Sequence, residues 1–162
     1  MTNQPPMNWI KSLMTALFNI EKPETTFVEW FDSHKFNHFT GAEIARYFQS
    51  TRNGVRNSEP PREMWPNILP TMKIVDDLRM ALGCPVRVTS SYRSPAYNAT
   101  VGGAPRSQHK LFTACDIQVD GATPHEVALV LKEWQKLGRF RGGVGIYPTF
   151  VHIDTRGRNA TW

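Results

Sequence analysis

Residues 107–120 read SQHKLFTACDIQVD, and residues 150–155 read FVHIDT. Side chains two apart on a strand share a face. ACDIQVD therefore sets Ala114, Asp116, Gln118 and Asp120 against Cys115, Ile117 and Val119, while FVHIDT sets Phe150, His152 and Asp154 against Val151 and Ile153. Both segments read as strands with one apolar face and one face carrying the chemistry. If the two are neighbours in one sheet, Asp116 and His152 project from the same side, and His109, in the approach to the first strand, can fold over to join them. Two imidazoles and a carboxylate suit a borderline metal ion such as zinc, with a fourth tetrahedral position left for water or substrate. Each piece also has an ordinary reading: a solvated surface histidine, or an Asp116 salt-bridged to one of the arginines.

Working outward, PVRVTS (85–90) alternates and is rich in β-branched residues, so it reads as a third strand, and RGGVGIYPTFVHIDTRG (141–157) as two strands joined at Tyr147 and Pro148. Between them TPHEVALVLKEWQKLG (123–138) is a helix, with Thr123 as N-cap and Pro124 at its first position. SYRSPAYNATVGGAPRS (91–107) has the composition of a long structured loop. Upstream, WPNILPTMKIVDDLRMALG (65–83) is the strongest helix, with Pro70 near its start and Gly83 where left-handed caps sit. TTFVEWFDSHKF (25–36) and TGAEIARYFQS (40–50) are two shorter helices, the second opened by a Thr40/Glu43 capping box. NSEPPREMW (57–65) reads as turn and loop. The expected organisation is a peripheral arm or helix over 1–22 and one domain over 23–162. The class is α+β, a small antiparallel sheet with helices packed on one side.

The chain has 162 residues, enough to bury a core without disulfides, and a net charge of +5 that favours an anionic partner. Lys and Arg are scattered and no nucleic-acid motif occurs, so no nucleic-acid partner is expected. Cys84 and Cys115 form no CxxC pair and read as buried thiols. No apolar run approaches the ~20 residues of a membrane span, so stable membrane insertion is not expected. NWIKSLMTALFNI (8–20) is broken by Lys11, Ser12, Thr15 and Asn19, which fits an amphipathic helix and not a signal peptide. A start in the cytoplasm without its own export route follows, and a monomer is expected. His34, His38 and His125 fit no motif and read as surface residues. Tyr92 and Tyr147 either line a groove or pack. Gly102 and Gly103 lack the lysine and helix of a phosphate loop.

SSYRSPAYNATVGGAPRSQHKLFTACDI followed by GGVGIYPTFVHIDTRG resembles the peptidase M15 family of zinc D-Ala-D-Ala carboxypeptidases and endolysin-type peptidases, in the branch common in bacteriophages. The family's S-x-H-x-x-G-x-A-x-D signature maps onto Ser107, His109, Ala114 and Asp116, and its last zinc histidine onto His152. The resemblance implies a hedgehog/DD-peptidase-like fold, Zn2+ held by His109, Asp116 and His152, and peptidoglycan as partner. It implies hydrolysis of an amide involving D-amino acids, by an enzyme held in the host cytoplasm until lysis or carried in a virion. Arg93 matches the arginine that faces the scissile carbonyl, where a guanidinium stabilises a developing oxyanion; its alternative is a structural pairing with a carboxylate. Two positions depart from the pattern. Phe112 replaces the signature glycine, which would close a subsite, alter the loop or mark lost activity. Thr149 stands where the family often carries a carboxylate three residues before the last histidine. Asp154 is the nearest substitute as general base, its alternative being to orient a ligand histidine. The rival reading is a non-catalytic wall-binding or virion module on the same fold.

Overall fold

The computed structural model describes residues 25–162, so the expected arm over 1–22 lies outside the described residues. Helix α1 (Phe27–Asp32) is opened by a Thr26/Glu29 capping box and α2 (Gly41–Ala45) by the expected Thr40/Glu43 box, each threonine hydroxyl accepting the N–H of its own glutamate. A 3-10 turn at Arg46–Gln49 continues α2 and gives way to a small hairpin, β1 (Thr51–Arg52) and β2 (Val55–Arg56). Asn53 and Gly54 form the turn, both at positive φ. This Asn-Gly signal is a strong hairpin cue. The loop expected over 57–65 runs only to 61; a 3-10 helix, Arg62–Ile68, takes over there and runs into α3 (Leu69–Leu82). Pro70 sits in the first turn of α3, where no partner is lost for its missing N–H, and Gly83 ends the helix at φ 63°.

Strand β3 (Val86–Ser90) leads into the 91–107 segment. That segment is not all loop: Ser94 caps α4 (Pro95–Thr100), accepting the Tyr97 N–H. Gly103 serves packing, since a Cβ there would lie 2.2 Å from Asn98 Oδ1, whereas Gly102 takes a left-handed φ of 70° with open space around it. Then come β4 (Ala114–Val119), α5 (Pro124–Lys136), β5 (Gly143–Ile146), β6 (Val151–Asp154) and β7 (Ala160–Thr161). The sheet order is β3-β4-β6-β5-β7, antiparallel except for β7, an unexpected strand that runs parallel to β5. The fold is thus α+β, with β4 and β6 adjacent as the site argument required.

One face of the sheet, with Val86, Val88, Cys115, Ile117, Val144, Val151 and Ile153, joins Met72, Val75 and Leu78 of α3 and Val127, Ala128 and Leu131 of α5 in a single core. Period two on the strands and the 3–4 spacing on the helices bring these residues together. Cys115 is buried, but Cys84 is only half-buried. His38 is not a free surface group either: its Nδ1 meets Asp76 Oδ1 at 2.9 Å, and that buried carboxylate also accepts the N–H groups of Asn37 and His38. The β5–β6 approach is tight. A Cβ on Gly142 would fall 1.7 Å from the Asp154 carbonyl oxygen, a backbone atom that cannot turn aside. Gly142→Ala is therefore expected to cost roughly 3 kcal/mol through forced separation of the two strands. The urea midpoint of the variant checks this, and an unchanged midpoint would refute it.

Candidate metal centre

Three local devices converge on the second face of the sheet. Asp116 and His152 are directly opposed in the β4–β6 ladder, so their side chains rise together. A bulge in β3 between Val88 and Ser90 brings Ser90 opposite Asp116 and re-aims the chain that follows. His109 lies on a 3-10 turn, Gln108–Leu111, whose N-cap is Ser107; the Ser107 hydroxyl accepts the His109 N–H at 3.3 Å. The serine of the S-x-H pattern thus shapes the turn that presents the histidine. The turn is tied to the segment after β3 by the Arg93 N–H, which donates to the His109 carbonyl at 3.2 Å.

His109, Asp116 and His152 are 2%, 3% and 6% exposed, so three ionisable groups share a nearly dry site. Their facing atoms form a close triangle: His109 Nε2 to Asp116 Oδ1 3.1 Å, His152 Nδ1 to Asp116 Oδ1 3.0 Å, and His109 Nε2 to His152 Nδ1 3.2 Å. The outer nitrogens are already engaged. His109 Nδ1 donates to the Ser91 carbonyl at 2.5 Å, and His152 Nε2 to Asp154 Oδ2 at 2.9 Å. With both ring protons committed outward, the inner nitrogens present lone pairs to each other and to a carboxylate oxygen. Three acceptors in contact repel unless a cation or a proton lies among them. Ligand atoms about 2.0–2.1 Å from a tetrahedral zinc stand roughly 3.3 Å apart, close to the spacings here. The donor set therefore fits such an ion, and the three residues are the described group able to hold one.

Two arginines hold the carboxylates. Arg93 Nη2 donates to Asp116 Oδ2, leaving Oδ1 for the histidines, and Arg93 Nε donates to Ser90 Oγ at 3.0 Å. Asp154 is fully buried and saturated: Oδ1 accepts from the Gly143 N–H, the Arg156 N–H and Arg156 Nε, and Oδ2 from His152 Nε2 and Arg156 Nη2. Arg156 was not singled out from the sequence. Its signal was a buried-face Asp154 followed two residues later by a cation.

Burial alone would raise both carboxyl pKa values. The histidines and arginines outweigh it and hold Asp116 and Asp154 well below the ordinary carboxylate range. His109 is pushed down, chiefly by burial and only partly offset by Asp116. His152 also suffers desolvation, but its bonds to Asp116 and Asp154 move it up on balance. The sign for stability follows from the carboxylates. Below the unfolded value of 3.8 the unfolded chain takes up protons that the folded one resists, so their contribution is complete above that range and lost as pH falls through it. The metal-free protein is expected to lose urea resistance between about pH 5 and pH 2. Asp154→Asn should start less stable and show a shallower decline; an equally steep decline would remove Asp154 from the account.

An open cavity of about 640 Å³ lies over the triangle. Thr89, Ser90, Arg93, Tyr97, Arg106 and Gln108 line part of it, and Tyr147, Phe150 and Trp162 another part. Asp116 is its one carboxylate among the described residues; Asp154 stands behind His152, and Thr149 is exposed and outside the lining. Tyr92 does not line it: it is buried, with its ring 5.8 Å from that of Phe112. Phe112 itself points away from the site. It adopts φ 57°, the left-handed conformation glycine takes freely, and buries its ring completely among Phe27, Phe48 and Tyr92. It closes no subsite.

Comparison with known proteins gives one family. No curated protein matches the chain. A family model described as Peptidase M15 matches residues 37–154, well over half of the sequence and inclusive of His109, Asp116, His152 and Asp154. On that match the chain belongs to the peptidase M15 family, whose members are metal-dependent peptidases.

Proposed function

We propose that the protein is a zinc-dependent peptidase that hydrolyses an amide bond in the peptides of bacterial cell-wall peptidoglycan. The observation that carries this reading is the triangle of His109 Nε2, Asp116 Oδ1 and His152 Nδ1, whose rings turn their other nitrogens outward to acceptors and whose residues line the cavity. When bound there, zinc would polarise a carbonyl and acidify a water. The chain's own residues do the rest. Ser91 and Asp154 fix the two imidazole orientations, and Arg93 fixes the carboxylate. Arg93 is also part of the cavity wall, so its guanidinium is placed to stabilise negative charge on a carbonyl oxygen brought to the cluster. Asp154, with every oxygen engaged, suits an orienting partner better than a general base. The family resemblance extends the proposal to D-amino acid substrates and a phage or prophage origin, with access to the wall at lysis or from a virion. The net charge of +5 complements an anionic wall polymer.

A second reading has its own support. No carboxylate other than Asp116 faces the cavity among the described residues, which suits a zinc-holding module that binds the wall without cutting it. One experiment separates the two: mass spectrometry of fragments released from purified peptidoglycan by the zinc-loaded protein, beside His152→Ala. Fragments that vanish with the substitution establish the peptidase, and their masses identify the bond. Wall binding without release, over several wall chemotypes, would replace it with the module.

A further inference from the structure

Trp162 lies beyond the segment that matches the family, yet it reaches the site. Strand β7 carries it there: the Trp162 N–H donates to the Val144 carbonyl, and its own carbonyl accepts from the Ile146 N–H at 2.9 Å. The indole lies against Gly145, directly opposite His152 in the ladder; a Cβ at Gly145 would be 2.6 Å from Trp162 Nε1. Its ring centroid is 5.4 Å from that of His152. Nε1 donates to the Tyr147 hydroxyl at 3.1 Å, and the Arg156 guanidinium sits 5.0 Å from the ring centre. Tyr147 in turn stacks on Phe150, with centroids 4.4 Å apart and planes 10° apart. The indole is held by backbone pairing, an opposing glycine, a hydrogen bond and a cation, and it is still 48% exposed. A large aromatic that is rigidly held and left open in a cavity is a contact surface in waiting, because little conformational entropy is lost when something covers it.

Its position says what covers it. Tyr97, Val101, Arg106 and Ser107, on or next to elements that adjoin the His109 turn, make a mixed wall there, whereas Tyr147, Phe150 and Trp162 join through a ring stack and a hydrogen bond into a continuous aromatic wall beside His152. A peptide carbonyl brought to the donor triangle carries a flanking residue within one Cα spacing, ~3.8 Å, of the scissile unit. One side chain then falls on the aromatic wall. We propose that Trp162 is a specificity-determining residue, forming with Tyr147 and Phe150 a subsite that takes an alkyl side chain of the residue flanking the scissile amide. This rests on the peptidase reading and adds which kind of residue that reaction prefers.

The test uses zinc-loaded full-length protein and a panel of synthetic wall stem peptides, each with one residue in turn replaced by glycine. Wild type is expected to lose roughly tenfold in kcat/KM at the position that meets Trp162, the scale of one methyl group in an apolar pocket. Trp162→Ala should abolish that discrimination, its kcat/KM ratio for alkyl over glycyl peptide approaching one, while Trp162→Phe retains most of it. Zinc content, measured in parallel, should be equal in all three. A Trp162→Ala protein that loses activity by one factor across the panel, or a wild type that does not discriminate, overturns the subsite. If wild type cleaves nothing, the peptidase reading fails, and equilibrium titration of the same peptides decides the subsite alone. An alkyl preference in binding that Trp162→Ala removes would sustain it, and equal affinities would end it.

Discussion

Asp116→Ala is expected to remove most of the stabilisation that zinc gives the fold. In the wild type, zinc at a thousand times its dissociation constant should stabilise the folded state by about 4 kcal/mol. That is about 10 °C in Tm for a domain of this size. The substitution removes the one anionic donor of the triangle, the atom 3.1 and 3.0 Å from the two imidazole nitrogens. Two neutral imidazoles, with the Arg93 guanidinium left without its carboxylate, then face the ion. The loss of affinity should exceed the 10- to 100-fold that follows removal of an outer partner. At the same zinc concentration a loss beyond 100-fold leaves at most about 1.4 kcal/mol of stabilisation, so the variant's Tm shift should shrink to about 4 °C or less, and hydrolysis should fall to background. Calorimetric scans with and without a chelator read this without any substrate. A variant that retained the wild-type zinc shift would show that the ion is held elsewhere.

Phe112→Gly should have a large effect on stability and almost none on the site. Restoring the glycine relieves a left-handed backbone worth about 1–2 kcal/mol, but it removes a fully buried ring that touches three other aromatics. Deleting such a ring costs about 3–5 kcal/mol. The net expectation is a loss of roughly 2–3 kcal/mol, or about 6–9 °C in Tm. Zinc uptake and substrate preference of the folded fraction should be those of the wild type, since the side chain points into the core. A more stable glycine variant would show that the backbone strain outweighs the packing. An altered substrate preference would put Phe112 in the cavity after all.

Alternation along two short segments was enough to place Asp116 and His152 on one side of a sheet, because a strand's period of two leaves no other arrangement once one face is apolar. The helices at 69–82 and 124–136 were equally legible, since their apolar spacing is helical and Thr123, Pro124 and Gly83 mark their ends. The hairpin at 51–56 carried its Asn-Gly cue but has only two residues per strand, too few for a pattern. Strand β7 was unreadable for the same reason, and with it Trp162 passed unnoticed. The glycines opposite it were the available signal: Gly143 and Gly145 share a face with His152, and bare backbone on a site face implies that something large packs there.

By itself the sequence determined the class of the fold, the strands that bear the site and the residue types able to hold a metal, because these follow from local periodicity and from the chemistry of His and Asp. Tertiary structure alone decided what each group is free to do. It paired Arg93 with Asp116 and filled both oxygens of Asp154. It turned Phe112 into the aromatic core and laid Trp162 across Gly145 beside His152. Those outcomes depend on contacts between segments as far apart as Phe27 and Phe112, and on which lone pairs and ring faces remain unclaimed once the backbone has closed, quantities that no local pattern encodes.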